Sequence, residues 1–178
     1  MQPISGAVRL VLVAGISFAC FLAGSFCPRA AQASEVTPEV DSANRINYAG
    51  RQRMLTQQIA RNACFVMAGI DPDRYEGKTK TAALQFETSL IGLRAGNANL
   101  GLLPEQDQGV LESLVAVEGL WTTFGPAARQ IAAGDLHSVP MRQMIELNMI
   151  TLARISETLQ RIVSLHGRQA FDKDLART

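Results

Sequence analysis

The chain is poor in the side chains on which most enzymes depend. It holds two histidines, His137 and His166, and both lie near the ends of predicted helices. There is no Cys-x-x-Cys-His to attach haem and no pair of Glu-x-x-His motifs to hold a di-iron centre in a helical bundle. No Ser/His/Asp or Cys/His arrangement is suggested, and no phosphate loop is present. We therefore expect no enzyme, no catalytic residue and no cofactor. Met141 and Met144, with His137 one turn earlier, offer soft-metal donors. At a helix start this group reads as packing and capping, and no metal site is expected.

Cysteine is scarce as well. Two of the three, Cys20 and Cys27, fall in an apolar leader, so Cys64 alone remains and no internal disulfide can form. Cys64 reads as a small buried residue, with an intermolecular bridge as the alternative. Charge of either sign is also lacking in excess. The whole chain carries a formal +1, and removing Arg9 and Arg29 with the leader leaves 15 basic against 16 acidic side chains, or −1. A nearly neutral molecule has no whole-surface attraction for nucleic acid.

The leader itself spans residues 1–33. Arg9 is a sparse positive start, Leu10 to Cys27 is almost wholly apolar, and Ala31-Gln32-Ala33 has the small-x-small form of a signal-peptidase site. We expect cleavage before Ser34 and a periplasmic product. An uncleaved inner-membrane anchor is the alternative, because the apolar run is near the lower limit for a span. Residues 34–40 read as a polar linker, 41–170 as the folded domain and 171–178 as a polar tail, with fraying expected from Gly167.

Within the domain the apolar residues recur in steps of three and four, and no alternating strand pattern appears. The first helix is expected from Asp41 or Ser42 to about Ala68, and the second from about Asp73 to Ala95. The third should start near Pro104 and Glu105, kink at Pro126 and end at Gly134-Asp135. The fourth should follow Ser138, with a seam of Met141, Ile145, Asn148, Leu152, Ile155, Leu159, Ile162 and His166. Asn148 in that seam reads as a register-fixing amide, and Trp121 as core. Four helices, each with one apolar seam and short connections, predict an all-α, antiparallel four-helix bundle.

The first helix carries the only pattern with chemistry in it. At 100° per residue, Ile46, Ala49, Gly50, Arg53, Gln57 and Ala60 share one side, opposite Leu55, Ile59 and Val66. Small residues there allow a second helix to come close. A guanidinium on that side suits a planar anion, and its alternative is a snorkelling or ion-paired surface charge. Asn47 and Gln57 could orient it. Arg51 and Arg61 point elsewhere and read as surface charges.

The run INYAGRQRMLTQQIAR, Ile46 to Arg61, resembles the opening helix of the PilJ-type domain of type IV pilus chemotaxis transducers. It is also similar to the periplasmic sensor helix of nitrate/nitrite-responsive histidine kinases. Ile46, Asn47, Ala49, Gly50, Arg53 and Met54 are shared; Arg51, Gln52, Leu55 and Gln57 match the pilus-type version more closely. Gln58 departs from it, standing where that pattern has a basic residue. The resemblance implies a periplasmic helical sensor, with the residues matching Gly50 and Arg53 holding an anion such as nitrate or nitrite at a homodimer interface. Arg53, Gly50, Asn47 and Gln57 are thus the expected ligand-binding residues. The chain ends after the bundle, so a membrane or periplasmic signalling partner is expected to carry the signal on. The rival expectation is a helical interaction module of a pilus, chemotaxis or envelope system that binds no ligand.

Overall fold

A computed structural model describes residues 36–175. The expected signal segment 1–33 and the end of the polar tail lie outside them. Helix α1 spans Pro38–Met67, α2 Pro72–Ala95, α3 Gln108–Ala132 and α4 Ser138–Leu175, with a single 3-10 turn at Ala98–Leu100. Helix α1 packs against α2 and α4, and α3 packs against the same two, which is the cyclic neighbour order of an antiparallel four-helix bundle. Among the described residues there is no strand, only an isolated bridge between Asn97 and Leu102. No helix among them is long and apolar enough to cross a membrane.

Local chemistry sets the helix starts, and two differ from expectation. Helix α1 begins at Pro38, inside the expected linker. Thr37 caps it by accepting a hydrogen bond from the Val40 amide, and Pro38 fills the first turn, where its missing N–H is no loss. Asp41 and Ser42, expected as caps, are instead buried within the helix. Helix α3 begins at Gln108, not at Pro104–Glu105. Asp107 caps it, accepting from the Val110 amide at 2.8 Å, while Glu105 turns into the protein. At the far end α4 stays helical to Leu175, past the fraying expected from Gly167.

The core is built on Leu55 and Ile59 of α1, Phe86 and Leu93 of α2, Leu114, Phe124 and Ile131 of α3, and Met144 and Ile162 of α4. Trp121 stacks on Phe86 with ring centroids 4.0 Å apart, as a core tryptophan should. Its indole N–H is satisfied by Glu87 at 2.9 Å, which also accepts from Arg129 at 2.8 Å. Burial works to raise the Glu87 pKa, but the hydrogen bonds from Trp121 and Arg129 outweigh it and leave the carboxyl below its ordinary range. Gly125 lies under the same indole; a Cβ there would come within 2.6 Å of Trp121 Cε2.

The seam of α4 is corrected by one residue at Ile145, Leu152 and Leu159, whereas Ile155, Ile162 and His166 are buried as expected. Ile145 is 63% exposed, and the buried line runs through Met144, Thr151, Ile155, Thr158, Ile162 and His166. Two threonines stand on this line, and a half-buried leucine, Leu152 or Leu159, follows each, so hydropathy alone selects the leucine over the more deeply buried threonine. Asn148 is half-buried, and its Oδ1 is shielded with no hydrogen-bond partner among the described residues.

Candidate functional site: the outer face of the first helix

Helix α1 is polar around most of its circumference, and it buries polar residues as readily as apolar ones. Gln52 is buried and donates to the Phe86 carbonyl at 3.0 Å and to Ser89 Oγ at 2.7 Å, pinning α1 to α2. Arg45 is 1% exposed. It donates to both Asp41 carboxylate oxygens, to Glu105 Oε2 at 2.9 Å, and to the carbonyls of Leu93 and Leu103 at 2.6 and 2.7 Å. His166 Nε2 lies 3.1 Å from the same Glu105 oxygen. This node joins the start of α1, the α2–α3 connection and the late turns of α4. Burial pushes the Glu105 carboxyl up. Hydrogen bonds with His166 and the backbone amides of Asp107 and Gln106, with the Arg45 charge, win and hold it at about 2. Neither Arg45 nor Glu105 was anticipated as a pair. The signal available was the arginine four residues after an aspartate on one helix, together with Glu105 just after a proline.

The residues left facing outward on α1 are Asn47, Gly50, Met54, Gln57, Arg61 and Cys64, in alternating steps of three and four. That is the spacing of a coiled-coil seam, here without a partner helix among the described residues. Arg53 stands at one edge of this stripe and Arg51 at the other, roughly 160° apart around the helix. Of the expected site residues, Asn47, Arg53 and Gln57 are exposed and Gly50 is half-buried, so the structure brings the four to one open face. Among the described residues Arg53 makes no hydrogen bond or ion pair. A Cβ built on Gly50 meets nothing within 4 Å.

Two expectations about this face are corrected. Ala49 and Ala60 belong to the core, 3% and 7% exposed, not to the Arg53 side. Helix α4 closes over that flank: Ala49 and Gln52 line a small void with Ile155 and Thr158 of α4. Cys64 is exposed and free, not a buried apolar filler. The donors His137, Met141 and Met144 do not converge on a site, since His137 is exposed at the α3–α4 turn and Met144 is in the core. Among the described residues no cluster of three His, Cys, Asp or Glu could hold a metal ion.

The described residues thus form a four-helix bundle whose first helix leaves one polar stripe uncovered. The sequence matches the family model of the type IV pili methyl-accepting chemotaxis transducer N-terminal domain, PilJ, over residues 38–146. The chain belongs to that family, whose members are non-enzymatic sensor domains. No curated protein sequence matches the chain. Among solved structures it is similar to the ligand-binding domain of the P. aeruginosa nitrate receptor McpN, with a TM-score of 0.59 and 25% sequence identity. The match covers 72% of this chain and 97% of that one. The protein thus carries a sensor domain of the chemoreceptor ligand-binding kind.

Proposed function

We propose that this is an exported, periplasmic sensor domain that pairs through its first helices and binds a small planar anion, nitrate or nitrite, between the two Arg53 side chains. The observation that carries the reading is the empty space outside Gly50 beside an unpaired Arg53. A glycine inside a helix costs about 1 kcal/mol relative to alanine. No described residue occupies the space it leaves. A second copy of α1 would. A two-fold axis along the stripe would bring two guanidiniums near each other, and an anion between them would relieve their repulsion. The planar fork of each guanidinium matches a trigonal oxyanion. The similarity to a nitrate receptor's ligand-binding domain supports the choice of anion.

Signalling then follows from linkage. The anion favours whichever helix arrangement holds the two arginines closer, and couplings of this kind are typically about 1–3 kcal/mol. A signalling partner reads the change.

The test is calorimetry and thermal melting with nitrate and nitrite on the wild type and three variants. At a hundred times its dissociation constant a ligand adds about 2.7 kcal/mol to the wild type. Arg53→Ala should keep the fold and lose this gain, and Arg53→Lys should recover only part of it, because an ammonium lacks the fork. Arg51→Ala, on the other edge of the stripe, should retain it. Equal nitrate binding in wild type and Arg53→Ala would sink the proposal. Met54, 55% exposed beside Arg53, favours a second reading in which the face serves protein contact alone. Dimerisation with no response to any anion in the panel would select it.

A further inference from the structure

Arg51 was expected to be an ordinary surface charge, but it lines a cleft between the outer sides of α1 and α2. The cleft encloses about 270 Å³. Beside Arg51, its walls are Tyr48 and Leu55 from α1, Leu84, Gln85, Thr88 and Ser89 from α2, and Leu100 from the 3-10 turn. No carboxylate lines it, and Arg51 makes no hydrogen bond or ion pair among the described residues. Leu84 is 64% exposed, although it faces an apolar recess. The cleft is thus a half-open apolar slot with one uncompensated guanidinium and a hydroxyl-bearing aromatic ring on the same helix.

We propose that this α1–α2 cleft is a second ligand site, and that it takes a small aromatic monocarboxylate. Charge selects the carboxylate, because the single lining cation has no acid to pair with and a guanidinium binds a carboxylate in a two-pronged fork. Size selects the body. A cavity of about 150 Å³ accommodates benzene, so 270 Å³ has room for one ring and its carboxylate. Lining chemistry selects the ring, because Tyr48 offers a face for offset stacking and three leucines offer apolar contact. A bare inorganic anion would leave that apolar surface wet and gain only the exposed charge. The site is contained within one protomer and does not depend on the Arg53 reading. It flanks the outward stripe of α1, so an occupant touches the same helix that would face a partner.

The probe is benzoate, titrated into the wild-type domain by calorimetry and by saturation-transfer NMR. Saturable binding is expected, with transfer strongest to the ring protons. Benzamide, equal in shape but neutral, should bind at least about tenfold more weakly. Arg51→Ala should weaken benzoate by a similar factor. Leu84→Asp, at an exposed position that leaves folding intact, should abolish binding by placing an acid in the slot. Arg53→Ala should leave benzoate binding unchanged, so failure here and failure of the nitrate site are read separately. Absence of saturable benzoate binding up to 10 mM (roughly −2.7 kcal/mol, weak even for a small ligand) overturns the proposal. So does equal affinity for benzamide, or benzoate affinity that Arg51→Ala and Leu84→Asp leave untouched.

Discussion

Replacing Arg45 by methionine should be among the most damaging single changes in this protein. Methionine keeps the side chain long and apolar, so the loss reports on hydrogen bonds and charge more than on a cavity. Five donor contacts disappear: two to Asp41, one to Glu105 and one each to the Leu93 and Leu103 carbonyls. The two carboxylates left behind are 6% and 7% exposed. Removing one partner of a buried ion pair typically costs about 3–5 kcal/mol, a large share of a usual total of about 5–15. With a urea slope of about 1–3 kcal/mol per molar, the midpoint followed by circular dichroism should fall by roughly 2 M at pH 7. The pH dependence supplies a second readout. Glu105 is held at about 2 against an ordinary 4.5. A lowered carboxyl pKa stabilises the fold above the unfolded-state value, and that contribution, roughly 3 kcal/mol, is lost as pH falls from about 4.5 towards 2. Without the Arg45 charge Glu105 protonates more readily, so the gap between variant and wild type should narrow below about pH 4.5. A loss under about 1 kcal/mol at pH 7, or a gap that widens with acid, would show that this node is not what ties α1 to α4.

Three further outcomes are expected. Gly125→Ala drives a methyl into the Trp121 ring, so stability should fall by about 1–3 kcal/mol and the emission of the lone tryptophan should shift; an unchanged spectrum and melt would contradict the packing. Gly50→Ala should act with opposite signs on fold and assembly. The added Cβ has open space and helix propensity should add up to about 1 kcal/mol to the protomer, while the dimer measured by light scattering should weaken. Equal dimer affinity would mean that no helix approaches there. In the chain from Ser34 onward, where Cys64 is the sole cysteine, copper–phenanthroline should convert the protein to a reducible covalent dimer if α1 faces its copy in parallel. Loss of that product in Cys64→Ser is the control, and a wild type that stays monomeric under oxidation argues against the parallel pairing.

How legible each helix was depended on how it solves burial. Helix α3 places Val110, Leu114, Val117, Trp121, Phe124, Ala128 and Ile131 in the core, so its seam can be read from hydropathy. Helix α4 buries Thr151 and Thr158 while exposing Ile145, Met149 and Ile150, and the apolar stripe misleads by one position. Helix α1 is the extreme case. Asp41, Ser42, Arg45, Gln52, Thr56 and Asn62 are all buried, so a rule that sends polar residues outward cannot find its inner face. Asp41, Arg45 and Gln52 are held by pairing at long sequence separation, as between Arg45 and Glu105, which no local window contains. The candidate site was legible for the converse reason. Asn47, Gly50, Arg53 and Gln57 recur at helical spacing and resemble a family motif, and neither clue requires knowing where the core lies. Ala49 and Ala60 were drawn into the same group because small residues fit a close helix contact equally well inside the bundle or outside it. Only the packing of α4 separates them. A Cβ on Gly50 would meet no described residue within 4 Å, and this is why the face around it points to a contact beyond the protomer.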